Sequence, residues 1–124
     1  MQDTKSEAVK SVSLSQMVVE GMLDKKASDI VLMDLRKIPN AVADYFVICS
    51  GNSDTQIDAI SDSIEEKVFK ESKQNPWKRE GKNNKEWILI DYVDVVAHVF
   101  NKEKRNFYGL EELWGDAKIT RIEE

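Results

Sequence analysis

The sequence predicts a single α/β domain with a mixed β-sheet flanked by α-helices. Three observations predict it. Short apolar runs of strand length alternate with longer stretches that repeat at helical spacing. "DYFVICSG", "SDTQIDAISDSIEEKVFKES" and "EWILI" follow one another as strand, helix and strand. Such a β-α-β unit crosses over right-handed and sets its two strands parallel. Finally, "EWILI" and "VVAHVF" flank the acidic corner "DYVD", the pattern of an antiparallel hairpin.

The elements follow in order. Residues 1–12 are polar and aperiodic and read as a flexible tail, with the domain itself spanning 13–124. Ser13 or Ser15 can cap a first helix that runs to about Lys26, with Val18, Val19, Met22 and Leu23 on its apolar face. "DIVLMDL", Asp29 to Leu35, is a strand, and Pro39 with Asn40 breaks the chain into a loop. "DYFVICSG", Asp44 to Gly51, is a buried strand ending at a glycine. Ser53 and Gln56 have the spacing of a capping box, and Ile57, Ile60, Ile64 and Val68 make one helical stripe. A polar loop then reaches Glu86. "EWILI" is apolar on both faces and belongs in the middle of the sheet. Lys102 to Trp114 reads as a helix with Gly109 as its weak point and Gly115 past its end, and "KITRI" as a short edge strand.

Composition narrows the function. The chain has 124 residues, 41% of them hydrophobic, enough for one core. A net charge of -5 argues against binding a nucleic-acid backbone, whose affinity comes from lysine and arginine. It suits a basic protein partner. The single cysteine, Cys49, lies in an apolar run and reads as a small buried hydrophobe. No apolar run reaches the roughly 18 residues of a membrane span, and no secretory leader is readable, so a reducing cytoplasmic setting is expected.

Asp91 and Asp94 raise the question of a catalytic carboxylate pair. Nucleotidyl transferases hold metal with acids that alternate along one strand. Here the acids are three apart across a turn and the alternating position is Val93. Turn capping by side-chain-to-backbone hydrogen bonds is the simpler reading, with a surface role still open for Asp91. "CSGNSD" has one glycine and no following lysine, so Ser53 reads as a helix cap, not part of a phosphate cradle. His98 shares strand parity with Val96 and Phe100 and is either a hydrogen-bonded sheet histidine or a partner contact. No cofactor or metal is expected. Trp87 and Leu89 share one face of their strand, opposite Ile88 and Ile90. If helices cover one face fully, the Trp87 face is a candidate contact patch with Tyr92, Arg105 and Tyr108, because interface hot spots favour such residues.

These residues carry a resemblance. "ADYFVICSGNSDTQIDAISDSIEE", Glu80–Gly81, "WILIDYVDVVAHVF" and "RNFYGLEELW" resemble the signature blocks of the ribosomal silencing factor family, RsfS or Iojap, in the family's order from about Asp29 to Trp114. The resemblance implies a nucleotidyltransferase-like fold without its catalytic acids, and a non-enzymatic role. Members bind the large ribosomal subunit through a ribosomal protein, L-fourteen, and sterically block joining of the small subunit when nutrients are scarce. Organellar relatives assist large-subunit assembly, and some members are dimeric. Carried onto this chain, the partner-facing positions are Trp87, Asp91, Tyr92, His98, Arg105 and Tyr108. Trp87 and Tyr92 supply apolar anchors, Asp91 meets a basic or amide group, and Arg105 meets an acceptor. The alternatives are a cryptic nucleotidyltransferase-like enzyme and a large-subunit assembly factor.

Overall fold

A computed structural model describes residues 4–105, 109, 112 and 114–123, with side chains from Ser11 onward. Its elements are α1 (Thr4–Asp24), β1 (Ser28–Asp34), β2 (Tyr45–Gly51), α2 (Asp54–Ser72), β3 (Lys78–Glu80), β4 (Trp87–Asp91), β5 (Val95–Asn101) and β6 (Lys118–Arg121). The strands form one six-stranded sheet in the order β3-β4-β5-β2-β1-β6.

α2 starts as its capping signals dictate. The Gln56 N–H donates to Ser53 Oγ at 3.1 Å, and the Gln56 side chain returns to accept the Asn52 N–H at 2.7 Å. α1 begins at Thr4, earlier than a Ser13 or Ser15 cap would allow, and the Ser15 hydroxyl instead donates back to the Val12 carbonyl at 2.7 Å. Both helices pack on one face of the sheet. Leu14, Val18 and Met22 of α1 meet Ile57, Ile60, Ile64 and Val68 of α2 over Val47, Cys49, Ile88, Ile90, Ala97 and Val99. The two helices approach closely at Gly21, where a β-carbon would lie 2.8 Å from Ile64 Cα.

The sheet is mixed, as expected, but its pairing differs from the sequence expectation. The strand parallel to β2 is β5, with Ile48 opposite His98, and β4 is antiparallel to β5. The crossover through α2 therefore passes β4 and closes on the far arm of the hairpin. β4 runs opposite to β2 instead of parallel to it. The polar loop before Glu86 also contains an unexpected strand. β3 pairs antiparallel with β4, Arg79 opposite Ile90, and forms one sheet edge. β6 forms the other edge, in the expected place. Of the helix expected over 102–114, Lys102 to Lys104 and Trp114 are turn, Arg105 and Glu112 are helical, and 106–108, 110, 111 and 113 lie outside the described residues. Gly109 within it has φ +61, a left-handed conformation that interrupts a right-handed helix.

Candidate functional site

α1 and α2 pack on one face of the sheet, so among the described residues the opposite face is the place to look for a contact surface. Strand alternation puts Trp87 and Leu89 of β4, Val96, His98 and Phe100 of β5, and Phe46 and Ile48 of β2 on that side. Val96, Phe100, Phe46 and Ile48 form a second buried cluster. Trp87 and Leu89, toward the β3 edge, remain partly buried.

Trp87 is held there by its neighbours. It lies directly opposite Phe100 in register, and the two rings stack with centroids 5.1 Å apart at 25°. Its indole Nε1–H donates to His98 Nδ1 at 2.9 Å. An imidazole that accepts at Nδ1 carries its proton on Nε2. Burial alone pushes the His98 pKa down to about 3, so the ring is neutral at physiological pH. Phe46 meets His98 edge-to-face at 4.6 Å and Trp114 edge-to-face at 6.0 Å. His98 Nε2 has no hydrogen-bond partner among the described residues.

The loop leading into β4 is clamped from both sides. Gly81 has φ +87, and a β-carbon there would collide with the Trp87 carbonyl. Three ion pairs tie this hairpin to α2: Arg79 with Glu65 at 2.7 Å, Lys82 with Asp62 at 3.4 Å and Lys85 with Asp58 at 3.4 Å. The acids recur along one stripe of α2, so the hairpin is laid against that stripe.

The remaining expected site residues separate. Asp91 shares the Trp87 side of β4, and its Oδ1 accepts the Val93 N–H at 2.7 Å, the turn-capping role. Tyr92 continues the parity of Ile88 and Ile90, is only 6% exposed and packs in the helix-side core. Burial there raises the pKa of its phenol. It is therefore not beside Trp87, as a single aromatic patch required. Arg105 is 7% exposed, and its Nη1 donates to the Asp29 carbonyl at 2.5 Å and to Ser50 Oγ at 2.9 Å. The acceptors this guanidinium meets belong to its own chain. Tyr108 lies outside the described residues. Cys49 is fully buried and its thiol pKa is pushed up by that burial. Among the described residues, no three His, Cys, Asp or Glu side chains gather as a metal-binding group, and no helix is long and apolar enough to cross a membrane.

Comparison with known proteins decides the family. The model described as "Ribosomal silencing factor during starvation" matches residues 8–124. The chain belongs to the ribosomal silencing factor family. Ribosomal silencing factor RsfS of Bacillus subtilis is 45% identical over 100 residues, covering 81% of this chain and 83% of the relative. The RsfS of Halalkalibacterium halodurans is 42% identical over 110 residues, covering 89% and 92%. A crystal structure of a Chromobacterium violaceum protein superposes with a TM-score of 0.77 at 30% identity, covering 90% of this chain and 92% of that one.

Proposed function

We propose that this protein is a ribosomal silencing factor. It binds the large ribosomal subunit through a ribosomal protein, L-fourteen, and occupies the subunit interface, so that the small subunit cannot join and translation falls under nutrient limitation. The observation that carries this reading is the Trp87–His98 pair on the sheet face opposite α1 and α2. A partly buried tryptophan fixed by a stack and a hydrogen bond is a preordered anchor, and a preordered anchor loses little side-chain freedom on binding. The family supports the partner class. A net charge of -5 supports encounter with a basic ribosomal protein.

Within this reading the residues take different roles. Trp87 is the direct anchor and His98 holds it. Asp91 closes the same strand face. Tyr108 follows β5 in the chain and is a further contact. Tyr92 and Arg105 act through the fold that supports the surface. The protein works in the cytoplasm without a cofactor, and self-association is compatible with the free state. Co-sedimentation with isolated ribosomal subunits tests the proposal. The protein is expected to pellet with the large subunit and not the small one. Pelleting with neither subunit overturns it.

A further inference from the structure

A second apolar feature lies at the turn end of β4. Among the described residues, the three most exposed large hydrophobic side chains are Val42 at 70%, Trp77 at 68% and Val93 at 56%. They come from three separate loops, yet together with Asp91 they line one cleft of about 260 Å³. Exposed apolar side chains scattered singly are ordinary surface, whereas gathered ones mark a contact site. The Trp77 N–H donates to the Asp91 carbonyl at 2.7 Å and fixes the Trp77 loop to β4.

Val93 adds an independent sign. Its φ is +76, in the left-handed region, where a β-branched residue is strained and glycine or asparagine is not. The Asp91 carboxylate holds it there through the Val93 N–H. Strain kept at a turn that any small polar residue would fit more cheaply points to a function for the side chain it displays.

The charge at the rim identifies the occupant. Asp91 lines the cleft and Asp94 is exposed in the same turn. The Asp44 N–H donates to the Asp94 carbonyl, which brings a third aspartate to this end of the sheet. On β3, Lys78 lies opposite Asp91 but is paired with Glu80 at 3.3 Å, and its Nζ is 5.3 Å from the Trp77 ring centroid, so a lysine side chain fits against this ring. A second copy of this chain, docked symmetrically, would bring aspartates against aspartates. A basic segment fits instead. The cleft also continues the Trp87 surface, because Trp87, Leu89 and Asp91 lie on one face of β4.

We propose that this cleft receives a lysine or arginine side chain from the basic ribosomal protein. The aliphatic stem lies against Trp77, Val42 and Val93, and the cationic head reaches Asp91 and Asp94. The inference rests on the function proposed above. The test is co-sedimentation of the wild-type protein, Trp87→Ala, Trp77→Ala and Val93→Asn with isolated large ribosomal subunits. Thermal unfolding and sedimentation velocity of each protein alone accompany it. Trp77→Ala weakens binding about tenfold. Val93→Asn weakens binding while its Tm rises by about 2 °C or more, because the backbone strain is relieved. A merely structural Val93 would not move the two readouts in opposite directions. If Trp77→Ala and Val93→Asn bind like wild type while Trp87→Ala does not, the cleft is empty in the complex and this inference fails alone. If the wild-type protein does not pellet, both readings fail. If Trp77→Ala breaks a dimer and leaves subunit binding unchanged, the occupant is a second copy and the inference is overturned.

Discussion

The indole N–H of Trp87 donates to Nδ1 of His98, 2.9 Å away on the neighbouring strand. The bond joins a partly buried aromatic on the sheet face opposite α1 and α2 to a histidine that is only 2% exposed. Under the function proposed above, His98 is a positioning residue that holds Trp87, and Trp87 is the residue that meets the partner.

The buried histidine gives the fold a defined pH dependence. Its folded pKa, about 3, lies below the ordinary 6.5, so the unfolded chain takes up the proton first. The stability this group supports is complete above about pH 6.5 and is lost as the pH falls toward 3. The steepest loss is ~1.4 kcal/mol per pH unit. Urea unfolding at pH 7.5 and pH 5.5 should show this loss in the wild type and a flatter response in His98→Phe. Equal slopes would contradict it.

The same substitution separates positioning from stability. His98→Phe keeps an apolar ring in the cluster but removes the acceptor of the Trp87 N–H. At pH 7.5 it should stay folded, with stability changed by no more than ~1.5 kcal/mol. Binding to the large subunit should weaken about tenfold, because the indole loses its fixed orientation. Unaltered binding in the folded variant would assign His98 to the sheet alone.

Arg105 should behave as a structural residue. Removing its guanidinium leaves the Asp29 carbonyl and the Ser50 hydroxyl short of a donor in a buried place. Arg105→Ala is expected to cost ~2–4 kcal/mol in denaturant unfolding. Where it remains folded, its affinity for the large subunit should match the wild type. A selective loss of binding without loss of stability would instead make it a contact.

Gly81 should tolerate no side chain. Gly81→Ala places a methyl group against the Trp87 carbonyl at a left-handed φ. A destabilisation of ~2–3 kcal/mol is expected, and the emission of Trp87 should shift as the β3–β4 hairpin moves. An unchanged Tm would contradict the close approach at this turn.

The sequence was most legible where a local rule and the tertiary fold agreed. The Ser53–Gln56 spacing predicted the start of α2, and the alternation of "WILI" predicted which side chains of β4 face the helices. β3 escaped because Lys78, Arg79 and Glu80 are all exposed at a sheet edge, where charged residues and short length leave no apolar period. The partner of β2 escaped for another reason. Either arm of the hairpin is apolar enough to lie beside it, and the choice is made by packing. Tyr92 was legible in principle. Counting parity from Ile88 and Ile90 puts it on the helix face, but its residue type, common at interface hot spots, grouped it with Trp87. The acceptors of Arg105 were not legible, since the Asp29 carbonyl lies 76 residues away along the chain. The Trp87–His98 pairing had a weak signal in strand parity, and the register supplied the rest.

The central claim is that the Trp87 surface occupies the large subunit in place of the small one. Its most direct measurement is a subunit-joining assay, in which purified large and small subunits are mixed with the protein and joined ribosomes are separated on a sucrose gradient. The account predicts that wild-type protein suppresses joining in proportion to its concentration and that folded Trp87→Ala does not. Normal joining with wild-type protein bound to the large subunit, or equal suppression by Trp87→Ala, would contradict it.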